Sequence, residues 1–311
     1  MRFGALLALV LLIPALAEGA SRQWKRGTPL PLARGEVAAA VAEGRIYVIG
    51  GFTAGGANST SVQAFNPPAN TWSQEADLPL PVDHTMAAGY RGRVYVAGGY
   101  GPGRSRLTTF FAFVGDGWTR LAPMPEQRAA GGAAVVNEKL YVVGGTTAST
   151  IGGPSTLAKT MLVYDIAADR WSTRRGPTPR EHLGVTALGG KVYAVGGRTA
   201  GFDTNMARVE AFNPRTGRWA RLPQVPGRRG GTGAAGTGRS IVSVGGEAPQ
   251  GTIRTVYRYD AKRRRWSRLP NLPTARHGLG VAAVGGKVYV IGGGTSPGLS
   301  VSQANESLAV R

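Results

Sequence analysis

Apolar residues along this chain fall in short runs of strand length, bounded by Gly, Pro, Asn and Asp. No helix of ordinary length is expected anywhere. One kind of run recurs six times and ends each time in Gly-Gly: RIYVIGG (Arg45–Gly51), RVYVAGG (Arg93–Gly99), KLYVVGG (Lys139–Gly145), KVYAVGG (Lys191–Gly197), SIVSVGG (Ser240–Gly246) and KVYVIGG (Lys287–Gly293). The first glycines stand at 50, 98, 144, 196, 245 and 292, a period of 46 to 52 residues, which is the signature of a repeat architecture. All six tryptophans keep the same ruler. Trp24, Trp72, Trp118, Trp219 and Trp266 precede the next Gly-Gly by 26 residues and Trp171 by 25.

Each repeat divides into four strands. The first, a, follows a Pro-rich turn, as at Glu36–Ala42 and Gly184–Leu188. A tight turn (Glu43-Gly44, Gly189-Gly190, Gly285-Gly286) leads to strand b, with glycines where primed hairpin turns need them. Strand c comes after a variable loop, as at Ser61–Phe65 and Arg208–Phe212, and strand d carries the Trp. The sixth repeat has a strand c at Asn305–Val310 but no Trp after it, whereas Trp24 stands ahead of the first repeat. The segment Gln23–Gly27 is therefore expected to supply strand d of the last unit and to close a ring without leaving an open edge.

A basic residue, a β run, an aromatic, Gly-Gly, a variable loop, then Trp: this order resembles the kelch repeat. Tyr47, Tyr95, Tyr141, Tyr193 and Tyr289 hold the aromatic place three before Gly-Gly, and only Val242 departs from it. The resemblance covers essentially all of residues 18–311. It implies an all-β, six-bladed β-propeller with four antiparallel strands per blade and a last blade closed by the N-terminal strand. A repeated strand-and-turn protein also accounts for the 48 Gly and 20 Pro, which would otherwise suggest disorder.

Residues 1–17 read as a secretory signal peptide: Arg2, an apolar stretch from Phe3 to Ile13, and Ala15-Leu16-Ala17 as the small-x-small cleavage pattern. The apolar stretch ends before the roughly 20 residues of a membrane span, so a monomeric secreted or periplasmic protein without stable membrane insertion is expected. There is no Cys, so stability must come from packing and closure. The net charge is +20, and of 37 basic residues only six are Lys. A field of that sign favours an anionic glycan or an acidic protein partner. Export argues against nucleic acid, and part of the excess is Arg used as a general surface residue.

Sixteen residues before each Gly-Gly stands Arg34, Arg128, Arg180, Arg229 or Arg276, with Val82 the exception. His84, His182 and His277 follow closely, in the second, fourth and sixth repeats. These positions, with Arg228 and Glu247, fall on the face of the d-to-a and b-to-c loops, which includes the long loops Thr146–Lys159 and Arg198–Met206. The expectation is a basic, His-bearing mouth over a central channel, with Arg forks for a carboxylate or sulfate. The alternative for each Arg is a bridge between blades or a partner for loop carbonyls.

Asp83, Glu181, Glu247 and Asp203 are the acid–base candidates on that face. Histidines two blades apart are not expected to converge within the roughly 2.1 Å of a shared metal ion, so neither metal nor other cofactor is expected. Gly231–Gly236 matches a dinucleotide pattern but lies in a strand with no helix after it. The resemblance frames two enzymatic options. Galactose-oxidase chemistry needs a Cys-crosslinked Tyr and is excluded. Sialic-acid mutarotases are exported kelch-type propellers acting on an anionic sugar, and a carbohydrate-active enzyme of that kind is the alternative to a binding protein.

Overall fold

The protein, a computed structural model, is described for residues 23–148 and 156–310. The expected signal peptide lies outside the described residues, as does part of the loop Thr146–Lys159. Six four-stranded antiparallel sheets form the blades. In the first, strands a to d are Ala38–Ala42, Arg45–Ile49, Val62–Asn66 and Thr71–Gln74. In the fourth they are Gly184–Leu188, Lys191–Val195, Val209–Asn213 and Arg218–Leu222. Two short hairpins rise from loops, Thr146–Thr147 with Thr156–Leu157 and Glu247–Ala248 with Gly251–Thr252. The helical content among the described residues is two 3-10 turns, Pro102–Arg104 and Phe202–Thr204.

The ring closes as the Trp spacing implies. Lys25–Arg26 pairs antiparallel with Asn305–Ala309, Lys25 opposite Ser307. Trp24 donates its indole N–H to Pro270 O of the fifth blade at 3.0 Å. The other five tryptophans do the same toward the blade before them: Trp72 to Thr28 O, Trp118 to Ala76 O, Trp171 to Ala122 O, Trp219 to Arg175 O and Trp266 to Pro223 O. The ring faces of Trp72, Trp118, Trp171, Trp219 and Trp266 lean on an aromatic of their own strand c (Phe65, Phe113, Tyr164, Phe212 and Tyr259) at centroid distances of 5.0–5.4 Å. Each Trp thus packs on one sheet and is hydrogen-bonded to the blade before it.

Gly-Gly is the second latch. Both glycines have positive φ in every blade, for example 58° and 89° at Gly50 and Gly51. The second donates its N–H to the carbonyl of the ruler residue in the following blade: Gly51 to Val82, Gly99 to Arg128, Gly145 to Arg180, Gly197 to Arg229, Gly246 to Arg276 and Gly293 to Arg34, all at 2.8–2.9 Å. A Cβ on Gly50 would stand 2.7 Å from Val82 O. The glycines are therefore required by close approach as well as by φ.

Candidate functional site at the axial mouth

The five ruler arginines do not face the channel mouth. All are fully buried, at 0–1% exposure, and their guanidiniums turn into their own blades. Arg34 donates to Gly50 O, Ser61 O and Val48 O. Arg180 and Arg276 repeat one pattern, with Nε to the first Gly of Gly-Gly (Gly196 O, Gly292 O), Nη2 to Ala194 O or Val290 O, and Nη1 to Glu210 or Glu306. Arg128 binds Gly144 O, Thr160 O and Glu126, and Arg229 binds Thr255 while lying over the Tyr257 ring. The expected Arg forks for a ligand are thus corrected. The carbonyls freed where Gly-Gly leaves the sheet need donors, and a long side chain from the preceding turn supplies them. Burial pulls the pKa of Arg34 and Arg229, neither of which is bonded to a carboxylate, down to about 10, offset only in part at Arg34 by the charge of Asp77.

The residues that do meet at the axis occupy one position just inside each strand a: Glu36, His84, Ala130, His182, Gly231 and Gly278. All six have left-handed backbone, with φ between 50° and 63°. Their amides and carbonyls join head to tail: His84 N–H to Glu36 O, Ala130 to His84, His182 to Ala130, Gly231 to His182 and Gly278 to Gly231, at 2.8–3.1 Å. Val37 N–H to Gly278 O completes the circle at 3.2 Å. Glycine takes this conformation freely, as blades five and six show. The strained non-glycine residues in blades one, two and four send polar side chains over the axis. The two glycines leave space for them, since a Cβ on Gly231 would meet His277 and Glu247, and one on Gly278 would run into the Glu36 carboxyl.

His84 and His182 face each other with Nε2 atoms 3.0 Å apart, and Glu36 Oε2 lies 3.3 Å from His84 Nε2. The expectation that these histidines stay apart is therefore also corrected, because left-handed backbone turns both rings inward over a narrow axis. Behind them stand carboxylates. Asp83 binds His84 Nδ1, and Glu181 Oε1 is 3.2 Å from His182 Nδ1. His277, one place earlier in its blade, joins from the side with Nδ1 3.1 Å from Glu36 Oε1 and 3.4 Å from Glu247 Oε2, while its Nε2 faces Ser296 O at 3.0 Å.

Arg198 links Glu181 (3.1 Å) to Glu247 (2.6 Å), and Arg104 reaches Asp83 at 3.0 Å. The mouth is thus a network of carboxylates, imidazoles and paired arginines rather than a bare basic surface. Burial alone would raise the Glu36 carboxyl, yet His84, His277 and His182 around it hold it well below the usual range. Burial likewise opposes ionisation of Glu181, but His182 and Arg198 bring its pKa down to about 2. Burial would lower His277, and its hydrogen bond to Glu36 raises it instead. Beneath the network, strand a residues of all six blades line a cavity of about 130 Å³.

Of the other candidates, Glu247 is buried in the network, whereas Arg228 and Asp203 are exposed on loops of the same face. Glu36, Arg104 and Arg198 belong to the site although sequence reasoning did not select them. Glycine in the matching place of blades five and six was the available clue for Glu36.

The KLHDC2/KLHL20/DRC7 Kelch-repeats domain matches this chain over residues 16–175 and 125–293. The chain belongs to the kelch-repeat family. It is 30% identical over 251 residues to the Kelch-like protein terF of Aspergillus terreus, covering 76% of this chain and 45% of that protein. It is 28% identical over 206 residues to mouse Kelch-like protein 35 (66% and 26%) and 27% over 255 residues to bovine Kelch-like protein 36 (78% and 41%). The chain spans less than half the length of these relatives. Kelch-repeat proteins are generally protein-interaction modules.

Proposed function

We propose that this chain is an exported kelch-repeat binding module that engages an anionic partner, a protein or an acidic glycan, across the face of the d-to-a and b-to-c loops. One observation carries the reading. The six repeats act as internal copies, and positions that hold the blades together repeat while those around the mouth do not. Gly-Gly and the Trp place recur in all six, whereas the residue after Gly-Gly is Phe52, Tyr100, Thr146, Arg198, Glu247 or Gly294. Variation among loops held on a rigid scaffold is what recognition requires. The N-terminal leader pattern supports export. The net charge of +20 supports an anionic partner by steering, with Arg104 and Arg228 exposed beside the mouth to contact it.

The test is binding of the mature protein to acidic and neutral glycans and to acidic peptides at two salt concentrations. Salt-sensitive binding that Arg104→Glu with Arg228→Glu weakens at least tenfold is expected. Binding lost instead on Arg170→Glu with Arg215→Glu, at the c-to-d turns of the opposite face, would move the interface there. A second reading, an acid–base enzyme acting on an acidic sugar, is favoured by the Asp83–His84 and Glu181–His182 pairs beside the cavity. Anomer exchange lost on Glu181→Gln would support it.

A further inference from the structure

We infer that Glu36, His84 and His182 form a binding site for one divalent transition-metal ion, of which Zn²⁺ is the type, on the propeller axis. Two donors each about 2.1 Å from one ion stand roughly 3.0–3.4 Å apart for ligand angles of about 90–110°. The observed separations are 3.0 Å between the two Nε2 atoms and 3.3 Å from His84 Nε2 to Glu36 Oε2. All three donor atoms lie within 4.8 Å of one another.

The surroundings prepare the donors for a cation. Asp83 accepts a hydrogen bond from His84 Nδ1, which places the lone pair of that ring on Nε2. Glu181 stands 3.2 Å from His182 Nδ1, which is buried and not yet aligned with any acceptor. Carboxylates behind metal-binding imidazoles fix tautomer and orientation in this way. His277 holds Glu36 by Oε1 and leaves Oε2 toward the imidazoles. Three lone pairs then converge where, among the described residues, no Arg or Lys enters, since Arg198 and Arg104 are turned to the carboxylates behind.

A set of two imidazoles and one carboxylate suits Zn²⁺ or its neighbours rather than Ca²⁺ or Mg²⁺. Three protein ligands leave a coordination place free. All three line the axial cavity, so that place can take water or an anionic oxygen donor such as a carboxylate. A second group, Glu36, Glu247 and His277, also comes within coordination reach. There, however, Arg198 and Gly298 N–H already occupy the Glu247 oxygens, so it serves as support.

The proposal is tested with the untagged full-length mature protein, titrated with Zn²⁺ by calorimetry and with Co²⁺ by its visible absorption. One ion per chain is expected, with a Co²⁺ spectrum of low coordination number. His84→Gly and His182→Gly put into blades two and four the residue that blades five and six use, so both should fold with near-native melting temperatures. Asp83→Asn and Glu181→Gln should weaken Zn²⁺ binding about 10–100-fold, and loss of either histidine should weaken it further. Absence of stoichiometric Zn²⁺ binding to the wild-type protein overturns the proposal. So does binding that His84→Gly and His182→Gly leave unchanged in folded protein. Either result is independent of whether the loop face binds glycan or peptide.

Discussion

The ruler positions and the axial ring lie a few residues apart in every repeat, yet they obey opposite rules. At the ruler, five of six blades hold a buried arginine, four of them bonded to the carbonyl of the first Gly of Gly-Gly and Arg229 to Thr255 instead, and the exception replaces it with Val82, 2% exposed. On the ring, the shared backbone conformation carries glutamate, histidine, alanine or glycine. The ruler tolerates little because its side chain completes hydrogen bonds that no water can reach. The ring tolerates much because its backbone alone makes the ring bonds. Side-chain identity there is free for another use, at a cost of about 1 kcal/mol or more in strain.

Four experiments sharpen or break this contrast. Deleting residues 23–28 removes Trp24 and the strand paired with Asn305–Ala309, and should lower the melting temperature more than any point substitution. An unchanged melt would refute closure by the N-terminal strand. Next in size, Arg276→Ala strands Glu306 in the interior and should cost about 3–5 kcal/mol, read as a fall of roughly 10 °C. Adding Glu306→Phe to Arg276→Val, in imitation of Val82 and Phe111 in blade two, should recover part of that. If the single variant melts like the wild type, the arginines do not hold the blades.

A pH series comes third. Burial raises the pKa of Tyr47, Tyr141, Tyr193 and Tyr289 on strand b and of Tyr164 and Tyr259 on strand c. The unfolded chain therefore releases these protons first. Stability is fully present below pH 10 and falls as pH rises through and beyond it, in part offset by Arg34 and Arg229, whose shifts run the other way. Melts from pH 8 to 11 should drop by several degrees, and a flat profile would show that the strand b tyrosines are not sealed. Smallest of all, His182→Gly should change the melting temperature by no more than about 3 °C, because the strain it relieves offsets the flexibility it adds to the unfolded chain.

Repetition made the fold legible. Six Gly-Gly pairs and six tryptophans on one spacing define the blades, and the displaced Trp24 betrays the shared last one. Strand limits were read to within a residue or two, with Gly184–Leu188 as observed and strand a of the first blade beginning at Ala38 rather than Glu36. The site was legible only in part. That His84, His182 and Glu247 share a face follows from strand alternation, but their convergence depends on left-handed backbone at the axis, which periodicity does not encode. The direction of the arginines depends on which carbonyls Gly-Gly leaves unpaired, a tertiary fact. Glu36 looked like an ordinary first residue of a strand because its partners come from blades far away in the chain.

The pairing of Lys25 with Ser307 has a kinetic consequence. An open array of repeats can fold from any point and add units one at a time, but here the strand synthesised first must wait for one near the end of the chain. The closing contact has nearly the largest sequence separation the chain allows, and contacts of that kind slow folding. Until it forms, the fifth and sixth blades lack Trp24 between them and strand c at Asn305–Ala309 is an unprotected edge. The nascent protein is then most exposed to mispairing with other copies of itself. A circular permutant that starts within the fourth c-to-d turn, Asn213–Gly217, would make this blade continuous and move the late step elsewhere, testing whether closure or blade formation limits the rate.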